Sequence, residues 1–224
     1  MNEAIMILIL IIGMLSLYLT NRFLNTFGIK ITFITFSIIS FIISFKYLTL
    51  STFHVNASIY TYCVEFTCLS LMLEKKQTKE VQQLININLI MNIFSAILLY
   101  MMAYHTQAIN DTIGINMSNV FLDNVRLLIV MPIATYISFK LLVYIYNKVK
   151  ILYDNIFISM VSTYLAIGLV YLILTYFISY MKILSIQNII KLLLSSYMIE
   201  LIIIVACSII LTLYNSKKVS KWIL

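Results

Sequence analysis

The stretch VRLLIVMPIATYISFKLLVYIYN, residues 125–147, decides how the chain is read. It is long enough to cross a bilayer, which takes about 20 mainly apolar residues. Yet it holds Arg126 at its start, Pro132 near its middle and Lys140 two thirds of the way along. A cation at mid-depth in hydrocarbon costs about 2.5–3.5 kcal/mol or more unless partners or water receive it. This helix is therefore expected to face protein or a wet cavity. At about 100° per residue, positions 126 and 140 fall within about 40° of each other, so one face carries both charges. Pro132 removes a backbone donor and opens the carbonyl of Leu128, a kink that membrane helices use where backbone lines a cavity. The plainer alternative sets Arg126 at the interface, lets Lys140 snorkel and leaves Pro132 to bend a packed helix.

The rest of the chain has the composition of a membrane protein. Of 224 residues, 62% are hydrophobic and 10% charged, against about 25% charged in a soluble domain. Four glycines and one proline leave no room for a flexible linker, and residues 1–224 are read as one transmembrane domain. The net charge of +7 is assigned to cytoplasmic loops rather than to nucleic acid, because membrane proteins gather Lys and Arg there. Cys63, Cys68 and Cys207 lie in apolar segments without a CxxC or a His/Cys cluster and are expected to be structural thiols. The opening MNEAIMILILII lacks the basic region and small-residue cleavage site of a secretory signal, so it is expected to be a retained first span.

Apolar runs of bilayer length give seven expected spans, at about 4–20, 31–50, 57–73, 84–104, 125–146, 156–181 and 189–214. The fold class expected is all-α, a polytopic membrane helix bundle. The third span is the shortest and has Glu65 at its centre, but without it the positive charges no longer alternate between sides. With it, Arg22, Lys30, Lys75, Lys76, Lys79, Lys148, Lys150, Lys217, Lys218 and Lys221 share one side. Only Lys46, Lys182 and Lys191 fall on the other. The positive-inside rule then puts the N-terminus outside and the C-terminus in the cytoplasm of a multi-pass cell-membrane protein. Residues 105–124 form the longest connection, with two aspartates and no Lys or Arg; it is expected outside, as a solvated loop or as a lid. The inner connection 74–83 is helix-friendly, with Lys76 and Glu80 at i,i+4 spacing.

Polar residues inside the spans are the candidate site. Glu65 and Glu200 sit near half depth, where a lone carboxylate would protonate and one facing Arg126, Lys140 or a polar ligand stays ionised. Structural ion pairing is the alternative. Asn88, Asn92 and Ser95 follow i, i+4, i+7 spacing beside Asn86; such amides glue helices together, and they also suit the edges of a nucleobase-like ligand. Ser159, Ser162 and Thr163 are open to the same two readings. Most of the tyrosines are expected in interfacial belts or packing, with one or two able to stack on a planar ligand. No catalytic constellation emerges: His54 and Cys63 lack a third group, and there is no phosphate loop and no HExxH. The chain is read as a non-enzyme without cofactor or metal.

Three places resemble the queuosine-precursor transporter family, also called vitamin uptake transporters. The third span ends LSLMLEKKQTKEV, where Glu74, Lys75, Lys79 and Glu80 fit the family's acidic and basic run; the fifth opens with Arg126 and reaches TYIS; the sixth holds SMVSTYLA. The likeness covers most of the chain in segment order. Ser70 stands where the family has an intramembrane acid, and Gln77, Leu142, Thr163 and Ala166 also depart from its pattern. The resemblance implies an importer of a small polar solute, a 7-deazaguanine in the family's case. From the family's pattern Arg126, Ser162 and Glu74 carry over; with the chain's own intramembrane polar residues the expected binding set is Arg126, Glu65, Glu200, Lys140, Asn88, Asn92, Ser162, Thr163 and Ser70, in a protein surrounded by lipid and free to oligomerise. The other reading is a non-transporting diverged protein or assembly partner whose buried charges serve helix packing.

Overall fold

Polar side chains turned inward and apolar ones turned outward set how these helices pack. The computed structural model describes residues 2–50, 53–104, 125–181 and 183–215. Helix α1 (Asn2–Ile43) is two antiparallel arms joined at Asn25, whose φ of 52° and ψ of −133° break the helix. Thr20 Oγ1 meets Thr32 Oγ1 at 2.8 Å, a contact that a straight helix would stretch to about 18 Å. Only glycine allows the turn. A Cβ on Gly28 would stand 2.0 Å from the carbonyl oxygen of Thr20.

The second arm buries Thr32, Phe33, Phe36, Ser37, Ser40, Phe41 and Ser44 and exposes Ile31, Ile39 and Ile42. Lipid tails are as apolar as isoleucine, so close backbone approach and interhelical hydrogen bonds hold such helices together rather than apolar burial. The helix stops at Ile43, and strands β1 (Tyr47–Leu50) and β2 (Phe53–Asn56) pair antiparallel, Tyr47 with Asn56 and Leu50 with Phe53. The second span therefore ends short of the expected residue 50. The segment YLTL has alternating, β-favouring side chains, and FHVN is close enough in sequence to pair with it. Asn56 then ties this hairpin to both neighbouring helices: Nδ2 donates to the Ser44 carbonyl at 2.6 Å, while Oδ1 accepts from the Ser58 amide and hydroxyl at 2.8 and 2.7 Å.

Helix α2 (Ile59–Glu74) is the hub. Every residue from Ile59 to Leu73 is buried, and α2 packs against α1, α3 (Thr78–Tyr104), α4 (Val125–Tyr153) and α6 (Ile186–Asn215). Its aromatic side chains also meet α5 (Ile156–Tyr180): Tyr62 stacks between Phe139 at 5.5 Å and Tyr171 at 4.1 Å, and Phe66 meets Tyr164 edge-on. At 16 residues it is about 24 Å long, shorter than a hydrocarbon core of about 30 Å. The helices around it screen it from lipid.

The turn from α2 to α3 closes with Lys76 at φ 59°, the Lys76 amide donating to Leu73 and the Gln77 amide to Met72, as in a Schellman cap. Helix α3 already begins at Thr78, so most of the expected inner connection is helical. Lys76 lies outside that helix, and Glu80 pairs with Lys30 at 2.6 Å instead of with Lys76. Two residues, Asp154 and Asn155, reverse the chain between α4 and α5; Asn155 Oδ1 accepts from the Ile158 amide at 3.2 Å.

Five described helical stretches are long and apolar enough to cross a membrane: Ile7–Ile43, Thr78–Met101, Val125–Tyr153, Ile156–Tyr180 and Ile186–Leu213. Their outward faces carry Phe23, Phe27, Ile90, Phe94, Ile129, Ile173 and Ile202. Apolar residues on the surface and polar ones inside mark a membrane-embedded helical bundle.

Candidate functional site

Two carboxyls lie inside the bundle, on different sides of α2. Glu65 is 1% exposed and faces a cavity of about 10 Å³ lined by Ser37, Ser40, Phe41, Glu65, Asn92, Met131 and Thr135. Side chains from α1, α2, α3 and α4 thus converge on one point. The hydroxyls of Ser40 and Ser37 stand within reach of the carboxyl. A short network fixes the far wall: the Ser37 hydroxyl donates to Asn88 Oδ1 at 2.5 Å, while Asn92 Nδ2 donates to Ser37 Oγ at 3.2 Å and to Asn88 Oδ1 at 3.4 Å. With its amide hydrogens so directed, Asn92 leaves Oδ1 without a partner, and Glu65 Oε1 has none either.

Glu200 is fully buried on α6. The Tyr164 hydroxyl of α5 donates to its Oε2, and Oε1 has no partner. Cys63 Sγ lies 4.0 Å from the Glu200 carbonyl. All three cysteines are buried in the bundle.

Neither Arg126 nor Lys140 of α4 reaches Glu65 or Glu200. Arg126 and Lys140 share one face of the helix, but this face, with Ile129, Ile133, Ile137 and Tyr144, points outward. The expectation of a charged face turned to protein is corrected here. The α4 residues that pack inward are Leu127, Leu128, Met131, Ala134, Thr135, Ser138, Phe139 and Leu142. Lys140 lays its ammonium 5.3 Å from the Tyr136 ring centre, and Arg126 donates to the Met181 carbonyl at 2.9 Å. A long stem lets each head escape hydrocarbon, with no carboxylate partner among the described residues. Pro132 lies on the buried side of the same helix.

Of the expected binding set, the structure brings Glu65 and Asn92 to one cavity, with Asn88 directly behind. It places Glu200 apart from them, and Arg126 and Lys140 on the outer surface of α4. Ser70 and Thr163 are buried with unpartnered hydroxyls, and Ser162 is half-buried. Ser37, Ser40 and Thr135 were missed. A serine or threonine in an apolar helix usually bonds its own backbone, so nothing in the linear sequence singles these three out.

One end of the bundle is held by charge. Glu74 accepts from the Tyr146 hydroxyl at 2.5 Å and from Lys150 at 2.9 Å, and Lys75 donates to Asn21 Oδ1 at 2.7 Å. Partial burial draws the Lys75 ammonium below the usual lysine range. With the Lys30–Glu80 pair, these contacts join the α1 turn, the α2–α3 turn and the end of α4 at one level. The β-hairpin, Arg126 and Met181 lie at the opposite end. Near the charged end is an apolar cavity of about 50 Å³ lined by Met14, Leu17, Tyr18, Asn21, Leu71, Ile210 and Leu211. Neither cavity approaches the roughly 300 Å³ or more typical of small-molecule pockets. The expected external connection 105–124 lies outside the described residues.

Comparison with known proteins finds no matching family model, no matching curated protein and no matching solved structure.

Proposed function

We propose that the protein is a multi-pass membrane transporter for a small polar solute, in a closed conformation, with the Glu65 pocket in its transport path. One observation carries the reading: two carboxyls, Glu65 and Glu200, are held inside a lipid-embedded bundle without a cation to pair with among the described residues. Ionisable groups at such depth are costly to keep and mark solute or ion paths. The cargo class implied by the sequence resemblance is a 7-deazaguanine queuosine precursor. For it, Asn88, Asn92 and the hydroxyls offer donors and acceptors for the base edges.

The proposed topology has seven crossings, the two arms of α1 and α2–α6, with the N-terminus outside and the C-terminus in the cytoplasm. The charged end supports it, since the basic connections that this topology assigns to one side are those that the ion pairs hold together. The positive-inside rule makes that side cytoplasmic.

Uptake of a labelled 7-deazaguanine by cells lacking their own importer tests the cargo. Accumulation above vector controls is expected, reduced by Glu65→Gln; no uptake at normal expression rejects this cargo. The second reading, a non-transporting protein whose buried polar groups lock helix packing, is favoured by the Phe139–Tyr62–Tyr171 stack that fills the axis. Saturable binding of any small polar solute to the purified chain decides against it.

A further inference from the structure

We propose that the Glu65 pocket is a binding site for a dehydrated sodium ion, coordinated by Glu65 Oε1, Asn92 Oδ1 and the hydroxyl oxygens of Ser40 and Thr135. Two buried acceptor oxygens, Glu65 Oε1 and Asn92 Oδ1, have no donor among the described residues, and both belong to side chains lining the same cavity. The Asn92 amide hydrogens are directed to Ser37 and Asn88, and the Ser37 hydroxyl to Asn88, while the Ser40 hydroxyl stands within reach of the Glu65 carboxyl. The Ser40 and Thr135 hydroxyls in the same lining can rotate their lone pairs toward a cation, so the hollow can present oxygen acceptors alone, the ligand set that hard cations take.

Size and charge select the ion. A cavity of about 10 Å³ admits about one water-sized particle, so the ion enters without its water shell, and sodium is small enough to do so. Five oxygen-bearing side chains line it, and only Glu65 can carry a charge. One carboxylate balances a monovalent cation, whereas a divalent one would leave a net charge in a low-dielectric interior. Arg126 and Lys140, on the outer face of α4, leave the pocket to a free cation. Asn88 and Ser37 are positioning residues, because their hydrogen bonds turn the Asn92 carbonyl toward the hollow. Since the ligands come from α1, α2, α3 and α4, an ion seated there would draw four helices together, as a coupling ion must. That coupling role rests on the transport reading; the binding site does not.

The test is binding of radioactive sodium to the full chain in lipid nanodiscs, with choline as the inert cation and no solute present. Saturable binding that equimolar potassium does not displace is expected. Glu65→Gln should abolish it, and Asn88→Ala should weaken it by about tenfold, as the loss of an orienting partner does at metal sites. Thr135→Val, which keeps the side-chain shape, gives a second variant should Glu65→Gln fail to fold, and it too should weaken binding. Absence of saturable binding in the wild-type chain overturns the proposal, as does equal displacement by potassium or unaltered binding in these variants. A melting temperature that follows pH and ignores sodium would assign the pocket to a proton instead. Failure of deazaguanine uptake leaves this result standing, and failure here leaves the import reading standing.

Discussion

Glu200 and Tyr164 show how a buried acid is held when no cation among the described residues is near. The phenol supplies one donor to Oε2, while Oε1 has no partner among the described residues. Tyr164→Phe would leave the carboxyl without that donor while keeping the ring and its edge contact with Phe66. Loss of a partner from a buried polar group costs about 1–3 kcal/mol. The variant is therefore expected to unfold at a lower temperature in detergent than the wild type. An unchanged melting curve would show that the bond contributes nothing. Both acids were legible in the sequence because a carboxylate inside an apolar run is rare and expensive. Lys140 carries the same rarity, yet its flexible four-carbon stem lets it sit on the outer face. Linear sequence places a charge in a helix; only the surrounding helices decide which way it looks.

At the scale of elements, the decisive feature is the turn inside α1. Gly28 lets two helical arms touch backbone to backbone, and Asn25 supplies the left-handed residue. Gly28→Ala would drive a methyl into the Thr20 carbonyl. Overpacking a tight contact typically costs about 1–3 kcal/mol, and a backbone obstacle cannot rotate away, so a loss at or above the top of that range is expected. Chemical denaturation in mild detergent measures it. Stability equal to wild type would mean that the arms separate without cost. Apolar periodicity announced the two arms as separate spans and located the remaining helices to within a few residues at most ends. It overran the second arm because Tyr47–Leu50 is as apolar as a helix end, and pairing with Phe53–Asn56 is a non-local event that no local run records. The inner connection, read as helix-friendly, is helical from Thr78: Thr78–Gln83 extends α3, its polar residues lying where the helix leaves the apolar layer.

The whole molecule is arranged around its shortest helix. Helix α2 is too short to look like a confident span, yet it is buried along its length, and its two ends are fastened by Asn56 and by Glu74 with Lys75. The topology proposed for the bundle makes a direct prediction. Lys46 and Lys79 are both exposed, at opposite ends, while Cys63, Cys68 and Cys207 are buried. In intact cells a membrane-impermeant thiol reagent should label Lys46→Cys and spare Lys79→Cys until the membrane is opened. The reverse pattern would invert the molecule. The charge ladder along the sequence suggested which connections share a side, and the Lys30–Glu80, Lys75–Asn21 and Lys150–Glu74 contacts supply a physical reason for that grouping.

The sequence alone determined that the chain is a lipid-embedded helical bundle, where its main helices run and which acids are costly, because lipid imposes length and charge limits on every residue independently. Only tertiary structure decided that Glu65 and Glu200 stand apart, that Arg126 and Lys140 look outward, and that Ser37, Ser40, Asn92 and Thr135 meet Glu65 at one hollow. Those outcomes depend on rotations of helices about their axes and on close contacts between residues far apart in the chain. In lipid such rotations follow from side-chain packing and hydrogen bonds, which the apolar pattern of a single helix does not encode.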